Sequence, residues 1–336
     1  MIARRTLCLL VLAALAACGR SHTTGPNARE VRFSILSAEN SQNMSLFWDP
    51  ILKDMQAETG LKVTPYFSSN YTLLVEAMKA KKTDAGWFSN LSGLEAVRRG
   101  GGEVFARTVN ASGIDGYRSV LIVPAKSTTT LDKVLKCDKT LTFGLGDVLS
   151  TSGTLAPMTY LFAPRNIDPQ TCFKQMRSGQ SHQANLFAVA NGQLDVATDN
   201  STALLMNARE GRREASEVRV IWQSPVLPED PIIWRKDLDP AVKEKLRQFF
   251  LTYGQGTSAE AQRQRANLAK INISGFKAAD DNHLLMVREM EATGIWQDAK
   301  KSGDTAKIAQ AKANLDAITS QREALEGRTR TPAAAQ

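Results

Sequence analysis

The chain has 336 residues, a formal net charge of +8, four cysteines and three histidines. That length supplies two sizeable cores. The basic excess is mild and scattered (Arg98-Arg99, Arg212-Arg213, Lys300-Lys301) with no interleaved aromatics, which argues against nucleic acid as a partner, and His22, His182 and His283 stand at no metal-ligand spacing, so neither metal nor cofactor is expected.

Arg4 and Arg5 precede an apolar run from Leu7 to Leu15, too short to span a bilayer, and Leu15-Ala16-Ala17-Cys18 puts small residues before a cysteine. Residues 1–17 therefore read as a secretory signal with a lipobox-like end. Acylation of Cys18 would anchor the mature chain to a membrane through residues 18–30, a polar, pattern-free tether; plain secretion is the alternative. Export removes Cys8 and commits Cys18 to lipid, leaving Cys137 and Cys172. In an oxidising compartment these two are expected to pair, which stabilises by roughly 3–4 kcal/mol in the chain-entropy model; two separate buried thiols are the alternative.

Val31 to Leu36 alternates as a strand. Asn40 to Leu46 reads as a polar loop, and Trp48, Ile51, Leu52 and Met55 recur at helical spacing until Gly60. A strand over 61–67, a helix from Tyr71 to Met78 and a strand over 84–88 continue an alternation that predicts a parallel, doubly wound sheet, with ligands beyond the carboxyl ends of its strands. Tyr71 and Phe88 fall at such ends. A helix over 94–99 and a strand over 104–109 follow, and the extended run Tyr117 to Val123 is the expected first crossing into a second domain.

That domain holds the most informative stretch. Thr142 to Thr154 reads in order as a short buried strand, a hydroxyl-rich elbow with Ser150, Thr151 and Ser152, and the first turn of a helix running on through Tyr160 and Phe162. The first amides of a helix lack intrahelical acceptors and carry partial positive charge, so three hydroxyls beside them suit a phosphate-like head group. An ordinary Ser/Thr cap with a glycine for close packing is the plainer reading of the same residues. A loop with Cys172, a turn at Gly179-Gln180-Ser181-His182, a helix over 183–191 and a strand over 194–198 ending in Asp199-Asn200-Ser201-Thr202 follow. Val218 to Trp222 and Pro231 to Trp234 return the chain to the first domain. The expected plan is lobe 1 over 31–122 with 225–283, lobe 2 over 123–224, a helical hairpin over 284–328 and a disordered tail over 329–336. Ile308, Ala311, Leu315, Ile318 and Leu325 give the hairpin an apolar face, for packing on the body or for a homodimer.

Taken together, Ser41-Gln42-Asn43, Trp87 to Ser92, Tyr117 to Val123, Leu141 to Gly153, Ala184-Asn185 with Ala188 to Asn191, Asp195 to Thr198 and Val220 to Arg235 resemble the phosphonate-binding protein of bacterial phosphonate ABC transporters. The resemblance spans Val31 to the C-terminal helices. It implies an α/β type II periplasmic binding fold, two doubly wound lobes joined by a two-crossing hinge, that captures a phosphonate and delivers it to a permease driven by an ATPase. Carried over by position, Tyr71, Ser150, Thr151, Ser152 and His182 match residues that hold phosphonate oxygens, and Asp230 matches one facing the amine of 2-aminoethylphosphonate. Two positions depart from the pattern. A tyrosine is Phe88 here, and a second acid falls on Thr202, which keeps plain alkylphosphonate, phosphite or another phosphorus oxyanion open as ligands. A sensor with the same ligand would have the same sequence. The chain lacks a G-x-S-x-G elbow, an H-E-x-x-H and a P-loop, and shows no histidine–carboxylate pair for Ser150, so binding rather than catalysis is expected.

Overall fold

The computed structural model describes residues 29–37 and 41–330; the signal, Cys18, most of the tether and residues 331–336 lie outside the described residues. In chain order come β1 (Glu30–Leu36), α1 (Ser41–Thr59), β2 (Lys62–Ser68), α2 (Tyr71–Lys79), β3 (Ala85–Trp87), α3 (Asn90–Arg99) and β4 (Gly102–Asn110). Next are β5 (Ser119–Pro124), α4 (Leu131–Leu135), β6 (Thr142–Gly146), two π-helical turns Thr151–Leu155 and Met158–Phe162 that together form the cradle helix, α5 (Pro169–Cys172), β7 (Gln175–Gln180), α6 (His182–Ala190), β8 (Val196–Asn200), α7 (Ser201–Arg209), α8 (Arg213–Ser216) and β9 (Val218–Gln223). The chain returns through β10 (Pro231–Arg235), α9 (Pro240–Thr252), α10 (Ala259–Ala269) and β11 (Ile273–Ala278), and ends in α11 (Leu285–Ser302) and α12 (Thr305–Arg330).

Two sheets result, ordered β11-β4-β10-β3-β1-β2 and β7-β6-β8-β5-β9. β1 is buried on both faces. On one, Phe33 meets Trp48 of α1 and Phe250 of α9 at ring distances of 5.8 and 5.7 Å; on the other, Leu36 joins Tyr71, Leu74, Phe88 and Ile233. Each such side chain removed from water contributes about 1.5–3 kcal/mol. Met44 extends the apolar stripe of α1 back by one turn, so the helix starts at Ser41, not after a polar loop to Leu46, and it carries Pro50 inside it.

Neither sheet is purely parallel. β10 runs against β3 and β4, and β11 against β4, while β5 runs against β8 and β9. The hinge lies beyond the carboxyl ends of the parallel strands, so a chain arriving through it, as β5 and β10 do, must run the opposite way. β5 joins the second sheet from Ser119 onward, ahead of the expected division after residue 122. The crossing itself is the bridge Tyr117–Leu227, with Tyr117 N donating to Leu227 O at 3.1 Å and Leu227 N to Tyr117 O at 2.7 Å. The edge strand β7 lies where the sequence predicts a loop and a turn; it is mostly exposed and polar, so it shows no apolar alternation.

A disulfide joins Cys137 to Cys172 at the end of lobe 2 where β6 and β7 begin. The apolar face of α12 folds back on the body: Ile318 with Leu315 and Leu325 packs on Leu285 and Ala292 of α11. α11 in turn rests on both lobes and the hinge, with Met290 against Ala156, Tyr117 and Leu227. No described helix is long and apolar enough to cross a membrane.

Candidate functional site

The cradle is seated by two glycines. A Cβ at Gly146 would fall 2.6 Å from Gly153 Cα, so the end of β6 and the first turn of the cradle helix touch backbone to backbone. Ser150 caps that turn, its Oγ accepting from Gly153 N at 2.9 Å. The turn is wide, Leu155 N donating to Ser150 O at 3.1 Å. Thr198 on β8 ties both sides together: its Oγ1 donates to Gly153 O at 2.8 Å and accepts from Gly146 N at 3.1 Å. Ser119 Oγ of β5 donates to Ser152 O at 2.6 Å. The hydroxyl-bearing helix start is thus held by three strands before any ligand arrives, the preorganisation that anion recognition at a helix N-terminus calls for.

His182 opens α6, capped by Ser181 Oγ, which accepts from Ala184 N at 3.1 Å; it is not in a turn. Its Nε2 lies 3.2 Å from Ser152 Oγ. Its Nδ1 lies 3.2 Å from Asp199 Oδ1 at the end of β8. The sequence shows no such pair because the two partners, residues 182 and 199, are distant in the chain and only the packing of α6 on β8 brings them together. Burial raises the Asp199 carboxyl above the usual carboxylate range, with His182 and Asn200 N pulling it back.

A cavity of about 80 Å³ opens in front of this cradle, between the lobes. Lobe 2 lines it with Ser150, Ser152, His182, Asn200, Thr202, Ala203 and Met206. Tyr71, Trp87 and Met44 form part of the opposite wall, and the hinge side supplies Thr108, Tyr117, Glu229 and Asp230. Tyr71 is the first residue of α2, capped by Asn70 Oδ1 accepting from Leu73 N at 3.0 Å.

The hinge carboxylates are the notable charges. Glu229 accepts from Thr108 Oγ1 at 3.0 Å and Asn110 Nδ2 at 2.9 Å. Asp230 Oδ1 accepts from Asn90 Nδ2 at 3.2 Å and Tyr117 Oη at 3.4 Å. Asp230 keeps part of its surface open, yet burial, and then the neighbouring Glu229 charge, push its carboxyl well above the usual range. Burial raises Glu229 as well. Among the described residues no lysine or arginine lines the cavity.

Of the expected site residues, Tyr71, Ser150, Ser152, His182, Thr202 and Asp230 come together around the cavity. Thr151 and Phe88 do not line it. Thr151 is fully buried and its Oγ1 accepts from Leu91 N of lobe 1 at 2.9 Å; Phe88 packs into the lobe 1 core with Leu36 and Tyr71, and Trp87 lines the cavity in its place. Sequence reading misses Glu229, although it directly precedes Asp230-Pro231, because its place at the cavity depends on the distant partners Thr108 and Asn110 of β4.

A family model described as an ABC transporter, phosphonate, periplasmic substrate-binding protein matches residues 33–284. The phosphonates-binding periplasmic protein of Escherichia coli is 38% identical over 295 residues, covering 86% of this chain and 85% of that one. A crystal structure of the binding protein component of an ABC phosphonate transporter from Pseudomonas aeruginosa superposes with a TM-score of 0.80 at 39% identity, over 90% of this chain and 98% of that chain. PhnD1 from Prochlorococcus marinus, solved with methylphosphonate, shares the fold at a TM-score of 0.67 and 20% identity, over 78% of this chain and 97% of that chain.

Proposed function

The chain belongs to the periplasmic substrate-binding proteins of phosphonate ABC transporters, and from that premise we propose that it captures 2-aminoethylphosphonate, or a close alkylphosphonate, between its lobes and hands it to a permease driven by an ATPase. One observation carries the choice of ligand: a cradle of hydroxyl and amide donors faces two acids, the buried Glu229 and the part-open Asp230, across a small cavity with no lining lysine or arginine among the described residues. A zwitterion with a tetrahedral anion at one end and an ammonium at the other answers both walls. Ser150, Ser152, His182 and Tyr71 would hold the phosphonate oxygens, each charge-assisted bond contributing about 1.5–3 kcal/mol. Asp230 with Glu229 would take the ammonium, and Thr151 would hold the lobes shut.

Thr202, Met44, Met206, Ile271 and Ile273 also line the cavity, and these favour a second reading, a plain alkylphosphonate or phosphite lying against an apolar surface. Titration calorimetry of 2-aminoethylphosphonate, methylphosphonate, phosphite, phosphate and sulfate separates the two. Tightest binding of the aminoalkyl ligand supports the first reading; tightest binding of methylphosphonate or phosphite supports the second. Turnover of phosphate esters that Ser150→Ala abolishes would contradict both.

Membership of a family of periplasmic binding proteins supports the periplasm as the working location. We further propose that Cys18 is acylated and tethers it to a membrane. Incorporation of labelled lipid that Cys18→Ser abolishes tests this. A homodimer through the C-terminal helices is the weaker proposal, since α12 spends its apolar face on α11; a concentration-independent monomer mass in solution would dismiss it.

A further inference from the structure

An anion-binding cavity usually draws on fixed cations. Here, among the described lining residues, His182 alone can carry positive charge. Its ring is 4% exposed, and Asp199 behind it is fully buried. Among the described residues neither Asp199 Oδ2 nor His182 Nδ1 has a hydrogen-bond partner: the ring nitrogen stands 3.2 Å from Asp199 Oδ1 without the alignment of a hydrogen bond, and only Asn200 N donates to that oxygen, at 2.7 Å. We propose that the His182–Asp199 pair takes up one proton when the phosphonate binds, and that Asp199 is the positioning residue that makes this uptake necessary. The inference rests on the reading of the cavity as a phosphonate site and deepens it.

The reason is a conflict of hydrogen-bond roles. A carboxylate beside Nδ1 draws the ring proton to that nitrogen, because the opposite tautomer would set two acceptors against each other. Nε2 of the neutral ring then presents a lone pair, which accepts from Ser152 Oγ at 3.2 Å. A phosphonate oxygen brought to Ser152 meets that lone pair, again acceptor against acceptor. One added proton resolves both problems. Nε2–H becomes a donor, the Ser152 hydroxyl is released to turn toward the ligand, and the new positive charge opposes the ligand's own. The proton belongs to the pair: an imidazolium beside a carboxylate and a neutral ring beside a protonated Asp199 hold the same number and both present Nε2–H.

The remaining charged groups around α6 do not supply that charge. Across the cavity stand Glu229 and Asp230, with the Tyr71 and Tyr117 hydroxyls. Asp147, after β6, accepts from Leu149 N at 2.9 Å. Asp195 accepts from Thr142 at the far end of β6. Arg213 donates to Asn191 Oδ1 beyond the other end of α6, and Arg219 to the Ser127 and Thr129 carbonyls.

Titration calorimetry with methylphosphonate, run in buffers of different ionisation enthalpy, reads the protons taken up per ligand bound. The ligand's own protonation is common to the native chain and to Asp199→Asn, so the difference between them reports the pair. The native chain is expected to take up about one proton more than Asp199→Asn, and its affinity to fall with rising pH by up to about tenfold per unit more steeply. Asp199→Asn should still bind, because the amide can donate to Nδ1 and leave Nε2–H as a donor without any uptake, an outcome that loss of a purely structural residue would not produce. Equal proton numbers in the two proteins overturn the proposal. Should Asp199→Asn fail to fold, ring nitrogen-15 spectra of the native chain, assigned with His182→Gln, decide instead: His182 signals that move to imidazolium or opposite-tautomer positions on adding methylphosphonate support it, and unmoved signals overturn it. Tight binding with equal proton numbers removes only the proton uptake, whereas no binding of any phosphonate removes the reading of the cavity with it.

Discussion

Leu91 N donates to Thr151 Oγ1 at 2.9 Å, and this bond joins the first turn of α3 in one lobe to the cradle helix in the other. A second bond runs beside it, from Ser89 Oγ to Leu149 O at 3.1 Å. Both elements reach the same interface from strand ends, β3 and β6, so on the proposed reading closure of the lobes would also complete the cradle. A ligand that fills the cradle is retained because release requires these bonds to open.

Thr151→Val keeps the volume and removes the acceptor. Leu91 N is then left unsatisfied at a buried site, which costs about 1–3 kcal/mol of the closed form. Because Thr151 does not line the cavity, the loss should be uniform, with methylphosphonate and 2-aminoethylphosphonate weakened by the same factor in calorimetry. A loss confined to one of them would place Thr151 on the ligand instead of between the lobes.

Gly146→Ala tests the seating of the cradle. The added methyl would lie 2.6 Å from Gly153 Cα, and backbone cannot swing aside as a side chain can. Overpacking of this kind costs roughly 1–3 kcal/mol. The expected outcome is a lowered thermal midpoint together with weakened binding of every phosphonate. A variant with native affinity would mean that the helix start need not be held where it is.

Stability should depend on pH in a ligand-specific way. Burial raises the folded-state carboxyls of Asp230, Glu229 and Asp199. A raised folded value means that their stabilising contribution is full below the unfolded carboxylate values of about 4 and is lost as pH rises through the folded ones. Denaturant melts of the ligand-free chain should therefore show stability falling with pH above about 4 from these groups, and Asp230→Asn should lessen the fall. An ammonium beside Glu229 and Asp230 favours their ionised forms, so the contribution of these two acids to stabilisation by 2-aminoethylphosphonate should grow across the same range. Melts that leave Asp230→Asn with the native pH dependence would remove that residue from the effect.

Much of this arrangement is legible in the residues themselves. Val31, Phe33 and Ile35 mark a central strand, Cys137 and Cys172 are the pair that export leaves, and Ser150 to Gly153 after a glycine-rich strand announces a helix start with spare donors. What escapes is of two kinds. Edge strands such as β7 bury little, so their composition carries no period. Side-chain direction at a helix start depends on the wide π-helical turn, which sends Thr151 into the lobe interface while Ser150 and Ser152 face the cavity. The pairing of His182 with Asp199 and the second hinge acid, Glu229, are tertiary facts with no local signature.

On the proposed reading the two hinge acids select an ammonium on the phosphonate. The decisive measurement is calorimetry of 2-aminoethylphosphonate and methylphosphonate against the native chain and Asp230→Asn. The native chain should bind the aminoalkyl ligand more tightly, and Asp230→Asn should lose about 2–5 kcal/mol for that ligand, with methylphosphonate nearly unchanged. Equal losses for both ligands, or a native preference for methylphosphonate, would contradict it.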